Sequence, residues 1–407
     1  MIDLLKNYSI NARRMKKSAI RELLKLTNRP EIISFAGGLP APEAFPIDEM
    51  IDLVEGVLKN YGKKALQYGP TEGYPKFVEQ LIKWEKEQNG IDIKPENLLI
   101  TTASQQALDL VAKILIDPSD PVIVERPTYL GGLQAFNQYG AKFIGVPMDD
   151  NETGINMGKL EQTLQKLKTD DEHYKFVYIV PDFQNPTGIT IPQEKRKRLI
   201  ELSEEFQFLL IEDSPYRELR FEGKEPEMMY KMDNTGNVIT LHTLSKTFAP
   251  GLRLGWIVAH EDIIDKLNTA KQATDLCTPS FTQAIAAEFM ARGLLLENIK
   301  KVKDLYKKKK DIMLDSFKKY LPERKDITWT RPEGGLFLWL TLPGYMNTST
   351  LFEQALEEKV AYIVGEAFDC YGVMKNAMRM NFSYPSEEEI VEGVKRLANL
   401  IKKNIKD

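Results

Sequence analysis

Two cysteines and three histidines in 407 residues leave little material for metal or disulfide chemistry. Cys277 and Cys370 match no ligand spacing and make no disulfide framework. His173, His242 and His260 form no cluster, so no metal is expected. A reducing compartment suits such a chain, and a cytoplasmic location follows. Excess charge of one sign is missing too: 55 Lys and Arg stand against 59 Asp and Glu, a net charge of -4. The basic surplus that draws a protein to nucleic acid is therefore absent. No apolar run approaches the roughly 18 residues that cross a bilayer. Met1 to Lys17 lacks the continuous apolar stretch of a signal peptide, so no membrane partner is expected. Internal repeats, low-complexity tracts and long linkers are also lacking. The length fits two to three domains with cores that need no staples.

The stretch 241–256 organises what is present. Val238-Ile239-Thr240-Leu241 reads as a buried strand and runs into Ser245-Lys246-Thr247. A loop with Pro250 and Gly251 follows, and then a second strand from Arg253 to Ala259. Desolvation at the mouth of a buried strand lowers an amine's pKa, and a neutral amine can form a Schiff base with an aldehyde. Ser245 and Arg253 add a hydroxyl and a guanidinium, which suit a phosphate. An aldehyde and a phosphate on one small molecule suggest pyridoxal phosphate. A solvated Ser-Lys-Thr turn is the plainer alternative. His242 reads as a packed residue rather than a catalyst.

Similar placements recur along the chain. Ser104 and Gln105 follow a strand at 97–102 and open a helix, where free N–H groups favour a phosphate; Ser104 also reads as an N-cap. Tyr129 follows strand 121–125, where a ring can stack on a planar cofactor. Asn185, in Asn-Pro-Thr-Gly, follows strand 176–180 and can donate to a phenolate. Asp213 ends strand 208–211, and a buried carboxylate there needs a cation such as a protonated pyridine, with Tyr216 near the same ring. An N-cap aspartate is the plainer alternative. Tyr68, in a loop bounded by Gly69 and Pro70, fits a phosphate ligand or a packed ring. Strands alternating with helices from about 97 to 259 argue a mostly parallel sheet covered on both faces, with ligands at the carboxyl ends of its strands. After about 290 a long lysine-rich helix (297–320) precedes short strands near 326–330, 335–342, 361–364 and 376–383, which fits a smaller α+β domain. Lys307–Lys310 reads as a solvated helix face. Arg379, in an apolar strand, is placed to fork onto a carboxylate. Ser18 reads as the cap of a helix over 18–27, and the glycines at 37–38 let backbone pass close to a ligand.

Asn185-Pro-Thr-Gly, Asp213-x-x-Tyr216, Ser245-Lys246 with Arg253, and the late Arg379 resemble, in this order, the class I/II aminotransferases of fold type I. The stretches 20–27, 34–42, 67–74 and 104–109 are similar to the 2-aminoadipate and kynurenine aminotransferase subgroup. The resemblance implies an α/β chain with an N-terminal segment (1–60), a large cofactor-binding domain (61–295) and a C-terminal small domain (296–407). It implies that Lys246 holds pyridoxal phosphate as an internal aldimine and shuttles the proton. Asp213 would pair with the pyridinium nitrogen, Asn185 and Tyr216 would hold the ring oxygen, and Tyr129 would stack on the ring. Ser104, Gln105, Ser245 and Arg253 would hold the phosphate. Tyr68 would reach the phosphate of a neighbouring subunit, making a homodimer the smallest active unit. Arg379 would clamp the substrate carboxylate with Asn185 assisting, Gly38 would approach the substrate through its backbone, and Arg21 would meet an acidic side chain or stay a solvated charge. Amino acids and 2-oxo acids are the implied substrates, with 2-oxoglutarate the usual acceptor in a ping-pong cycle. Val364-Gly365-Glu366-Ala367-Phe368 departs from the proline-glycine turn of many relatives and leaves the local substrate wall open. A β-lyase of the same fold type is one alternative. A regulator carrying a DNA-binding winged helix is another, for which no room is expected before Ser18.

Overall fold

Strands rich in Val, Ile and Leu that hide both faces need helices above and below them. In the computed structural model, which describes residues 4–15, 29–150 and 152–406, seven strands form the central sheet, all of this kind except the more exposed edge strand at 142–147. They are β1 (Leu98–Thr101), β2 (Pro121–Arg126), β3 (Lys142–Pro147), β4 (Phe176–Ile179), β5 (Leu209–Asp213), β6 (Val238–Thr243) and β7 (Gly255–Val258), in the spatial order β1-β7-β6-β5-β4-β2-β3. Only β7 runs against the rest. Residue for residue, β1, β4, β6 and β7 are wholly buried. Helices including Ala103–Leu115, Leu130–Tyr139 and Gln193–Phe206 connect the strands.

The reversed strand matters for what the sheet can hold. Thr101 and Thr243 both pair with Gly255, the first residue of β7. The start of β7 therefore lies at the same edge as the ends of the parallel strands. Arg253 joins that edge although it precedes its strand. A side chain at Gly255 would press within 2.6 Å of the His242 carbonyl and 2.8 Å of Ala103, so only glycine allows these three backbones to meet.

A second sheet contains β8 (Thr328–Trp329), β9 (Phe337–Thr341), β10 (Ile363–Val364) and β11 (Ala377–Asn381), ordered β10-β11-β9-β8. Arg379 sits mid-strand in β11, opposite Trp339 on one side and Ile363 on the other. The expected strand at 361–364 divides in two. Val360–Ala361 pairs in parallel with Ile33–Ser34, and Ile363–Val364 joins β11. Phe35 bridges the two pairings, its N–H donating to Ala361 O and its carbonyl accepting from Asn381 N–H. That junction delivers residues 36–41 to the edge of the central sheet.

The 27-residue helix Leu294–Tyr320 corrects one expectation. Lys307 and Lys308 are exposed, but Lys309 and Lys310 are buried, because the helical period turns that part of the lysine run inward with Tyr306 and Met313. Lys309 donates to Glu43 (2.6 Å) and to the Ser383 carbonyl (3.0 Å), and Lys310 to Glu222 (3.0 Å). The Tyr306 hydroxyl accepts from Ala41 N–H at 2.9 Å. The helix thus fixes the 36–43 loop from behind. His242 is buried and stacked on Trp256, with centroids 4.9 Å apart, and burial lowers its pKa; it is a core residue. Both cysteines are free thiols, and no group of metal-ligating side chains occurs among the described residues. No helix among them is long and apolar enough to cross a membrane. Ser18 and Arg21 lie outside the described residues.

Candidate active site

A pocket of about 450 Å³ opens where the strand ends meet residues from both sheets. Gly38, Ser104, Gln105, Tyr129, Asn185, Asp213, Tyr216, Ser245, Lys246, Arg253 and Arg379 all line it. Lys246 follows β6 and points its Nζ at the Gly38 carbonyl, 2.8 Å away. Burial, then the Arg379 and Arg253 guanidiniums, lowers its amine to about 8. An amine tuned this far is partly neutral near neutral pH and able to attack a carbonyl.

Asp213 ends β5 with its side chain buried. Tyr178, on the neighbouring β4, donates its hydroxyl to Asp213 Oδ2 at 2.7 Å. Oδ1 is buried and makes no hydrogen bond. Burial raises the carboxyl to about 7, and the Tyr178 hydrogen bond opposes the rise. A carboxylate with one satisfied and one open oxygen needs a cationic N–H donor. Beside it, Asn185 Nδ2 donates to the Tyr216 hydroxyl at 3.2 Å, and both residues line the pocket.

The opposite end of the pocket is polar and more open. Ala103 adopts a left-handed conformation (φ 60°) as its helix begins, placing Ser104 and Gln105 in the first turn, where N–H groups lack intrahelical partners. Ser104 lies within the helix rather than capping it; Thr102 is the cap residue. Ser245 is held by Thr243, whose hydroxyl donates to Ser245 Oγ at 2.8 Å. Arg253 is exposed, with φ 53°. Gln105 donates to the Gly131 carbonyl and receives the Tyr129 hydroxyl at 3.5 Å. The Tyr129 ring lies on Gly131, where a Cβ would come within 2.4 Å of it. Tyr68 does not join this pocket; it is 80% exposed on the surface.

Arg379 enters from β11. Its Nη1 donates to Asn185 Oδ1 (2.8 Å) and its Nη2 to the Ala36 carbonyl (2.7 Å), while Nε is buried without a partner. The guanidinium lies between Phe337 (4.2 Å) and Phe368 (5.0 Å), an arrangement that fixes its plane. Burial lowers its pKa to about 10, so it stays charged near neutral pH. Leu39, Leu130, Gln134 and Phe368 also line the wall.

Sequence reasoning missed Tyr178, Phe337, Phe368 and the supports Tyr306 and Lys309. A tyrosine inside an apolar strand was a usable signal, since its buried hydroxyl needs a partner. The aromatic rings around Arg379 had no comparable signal. A wider cleft of about 730 Å³ lies behind Gly188, lined by Lys197, Lys224, Arg331, Glu152, Glu225 and Glu333 among others, and holds none of the expected site residues.

The open Asp213 oxygen, the open Arg379 nitrogen and the polar helix start together fit a pyridoxal phosphate ring and the carboxylate of an amino acid. Comparison with known proteins agrees. The family model for aminotransferase class I and II matches residues 44–397. Aromatic-amino-acid aminotransferase 1 of Thermococcus litoralis is 44% identical, covering 100% of this chain and 96% of its own length. The 2-aminoadipate transaminase of Thermus thermophilus is 41% identical over 96% of this chain and 95% of its own. The structure of Pyrococcus horikoshii kynurenine aminotransferase, in complex with PMP, superimposes with a TM-score of 0.95 at 43% identity, covering 100% and 99% of the two chains. The chain belongs to the class I and II aminotransferases, enzymes of fold type I that depend on pyridoxal phosphate.

Proposed function

We propose that this aminotransferase moves the amino group of an L-amino acid of the 2-aminoadipate, aromatic or branched-chain type to 2-oxoglutarate in a ping-pong cycle. The single observation that carries this reading is the convergence of the Lys246 amine, the open Asp213 oxygen and the open Arg379 nitrogen on one pocket. When bound, pyridoxal phosphate supplies the aldehyde and an electron-accepting ring. Asp213 pairs with the ring nitrogen, its second oxygen held by Tyr178. Asn185 and Tyr216 donate to the ring oxygen, and Tyr129 covers one ring face. Ser104, Gln105, Ser245 and Arg253 hold the phosphate, joined by Tyr68 of a second copy in a homodimer. Arg379, aligned by Phe337, Phe368 and Asn185, forks onto the substrate carboxylate, and Gly38 faces the substrate through its backbone. Lys246 would carry the proton at the substrate Cα. The division into segments 1–60, 61–295 and 296–407 and a cytoplasmic location complete the reading.

The side-chain wall of Leu39, Leu130 and Phe368 supports aromatic and branched substrates. The only cations among the pocket's described lining residues are Lys246, Arg253 and Arg379, each already assigned. Arg21, outside the described residues, is the candidate partner of an acidic side chain, with a solvated helix charge as the alternative.

The test is a half-reaction screen on the purified, cofactor-loaded protein. Bleaching of the cofactor absorbance is followed with 2-aminoadipate, glutamate, kynurenine, phenylalanine and leucine separately, for the native protein and Arg21→Ala. Loss of 2-aminoadipate and glutamate turnover alone in the variant assigns Arg21 to the acidic side chain. Leading aromatic or branched substrates with an unaffected variant assign it to the surface. Failure of every substrate, or release of ammonia from a β-substituted amino acid without an oxo acid, overturns transamination by this site.

A further inference from the structure

Outside the pocket, one buried carboxylate is surrounded by three guanidiniums. Asp182, fully buried, lies in the loop after β4, three residues before Asn185. Arg196 meets it with two hydrogen bonds, Nη2 to Oδ1 at 2.7 Å and Nη1 to Oδ2 at 3.2 Å. Arg217 approaches Oδ2 at 3.5 Å and Arg220 approaches Oδ1 at 3.6 Å. All three arginines are themselves buried. Burial alone would raise the carboxyl's pKa, but the guanidiniums outweigh it and hold the value below the ordinary one.

The surrounding charges balance outward. Glu212 stands 4.0 Å from Arg196, Glu225 2.5 Å from Arg217, and Glu333 2.6 Å from Arg220. The attachment points matter more than the charge count. Arg196 belongs to the helix Gln193–Phe206 that covers the sheet, a rigid base. Arg217 directly follows Tyr216 in the chain, and its Nε also donates to Asn89. Arg220 reaches Glu333, two residues ahead of the Gly335-Leu336-Phe337 run that places a ring under Arg379. One carboxylate thus ties the loop carrying Asn185 to the loop carrying Tyr216 and to the support of Arg379.

We infer that Asp182 is a positioning residue that sets the spacing between Asn185 and Tyr216 and so the strength of their donation to the cofactor's ring oxygen. The inference rests on the ring-oxygen role given above to those two residues. Asp182 does not touch the pocket and takes no part in the chemistry. A network of this kind is costly to build, because three buried guanidiniums must be desolvated. Fixing two donors to a fraction of an ångström is a function such rigidity serves.

The experiment follows the pH midpoint of the bound cofactor's absorbance in the loaded protein, together with the affinity of the cofactor-free protein for pyridoxal phosphate. Donors to the ring oxygen compete with the proton of the cofactor–lysine imine, so weaker donation raises the midpoint. Loss of a negative charge at Asp182 would by itself lower it. The two explanations therefore have opposite signs. Asp182→Asn is expected to raise the midpoint by roughly half a pH unit or more and to weaken cofactor binding. In an Asn185→Ala background the same change is expected to raise the midpoint less, because one of the two donors that it spaces is gone. A midpoint that falls or stays still in Asp182→Asn, while Asn185→Ala alone raises it, overturns the inference and leaves the site reading intact. An equal added shift in both backgrounds overturns it as well. A midpoint unmoved by Asn185→Ala overturns the ring-oxygen reading, and this inference falls with it. If Asp182→Asn does not fold, Arg217→Lys tests the same link. It keeps the charge and loses the fork, and an upward shift is again required.

Discussion

The Tyr178 hydroxyl donates to one oxygen of Asp213 at 2.7 Å and leaves the other oxygen buried and open. Two adjacent parallel strands, β4 and β5, create this relationship by setting Tyr178 directly opposite Ile211, two residues short of Asp213. The tyrosine stabilises the charged form of the carboxylate that a ring nitrogen requires. Tyr178→Phe is expected to fold, to bind pyridoxal phosphate more weakly and to lose about tenfold to a hundredfold in half-reaction rate, since a hydrogen bond to a charged group is worth about 1.5–3 kcal/mol. Titration of the cofactor and single-turnover absorbance check both effects.

Burial raises Asp213 to about 7 in the folded, cofactor-free chain, above an unfolded value of about 3.9. A raised acid binds its proton more tightly in the folded state, so its contribution to stability is complete below about pH 4 and is lost as pH rises through about 7. Asp213→Asn carries no such titration. The cofactor-free variant is therefore expected to melt above the native protein at pH 8, with the advantage shrinking toward pH 5. Melting temperatures of both proteins between those pH values decide the point, and the variant's stability gain is expected to coincide with loss of transamination.

Lys246 is lowered to about 8 by burial and by two nearby guanidiniums, and only its neutral form attacks an aldehyde. Capture of pyridoxal phosphate by the cofactor-free protein is expected to speed up as pH rises through about 8 and to level off above it. Stopped-flow absorbance at fixed cofactor concentration measures this. A profile that continues to climb past pH 9.5 would indicate an amine close to its ordinary value.

Arg379 is held in place by Phe337, Phe368 and Asn185. Arg379→Lys keeps the charge but loses the planar fork. The expected outcome is a fall of about a hundredfold in kcat/KM, expressed mainly in KM, with cofactor content unchanged. Steady-state kinetics with one good amino donor test it.

Lys309 links Glu43 and the Ser383 carbonyl behind the 36–43 loop. Lys309→Met keeps the stem and removes the donors. It is expected to destabilise the protein by about 1–3 kcal/mol, read in denaturant unfolding, and to raise KM because Gly38 is less firmly placed.

The alternation of apolar strands with helices, and the residues that follow each strand, were legible in the chain itself. Burial pattern is a local property, and a parallel sheet sends all its carboxyl ends to one edge. Ser104, Tyr129, Asn185, Asp213 and Lys246 can therefore be placed together from the chain alone. Arg253 was legible as a neighbour of Lys246, but the reason it shares the edge is the reversal of β7, which register alone reveals. The burial of Lys309 and Lys310 is not legible in the run 307–310, because composition describes its charge and not its helical phase against the loop it packs on. Tertiary structure alone decided that Gly38 faces Lys246, that Asn185 meets Arg379, that Tyr178 serves Asp213 and that one buried aspartate gathers Arg196, Arg217 and Arg220. These pairings join residues on separate elements, most of them far apart in the sequence. Side-chain packing between separate elements sets them, and no periodicity within either element encodes them.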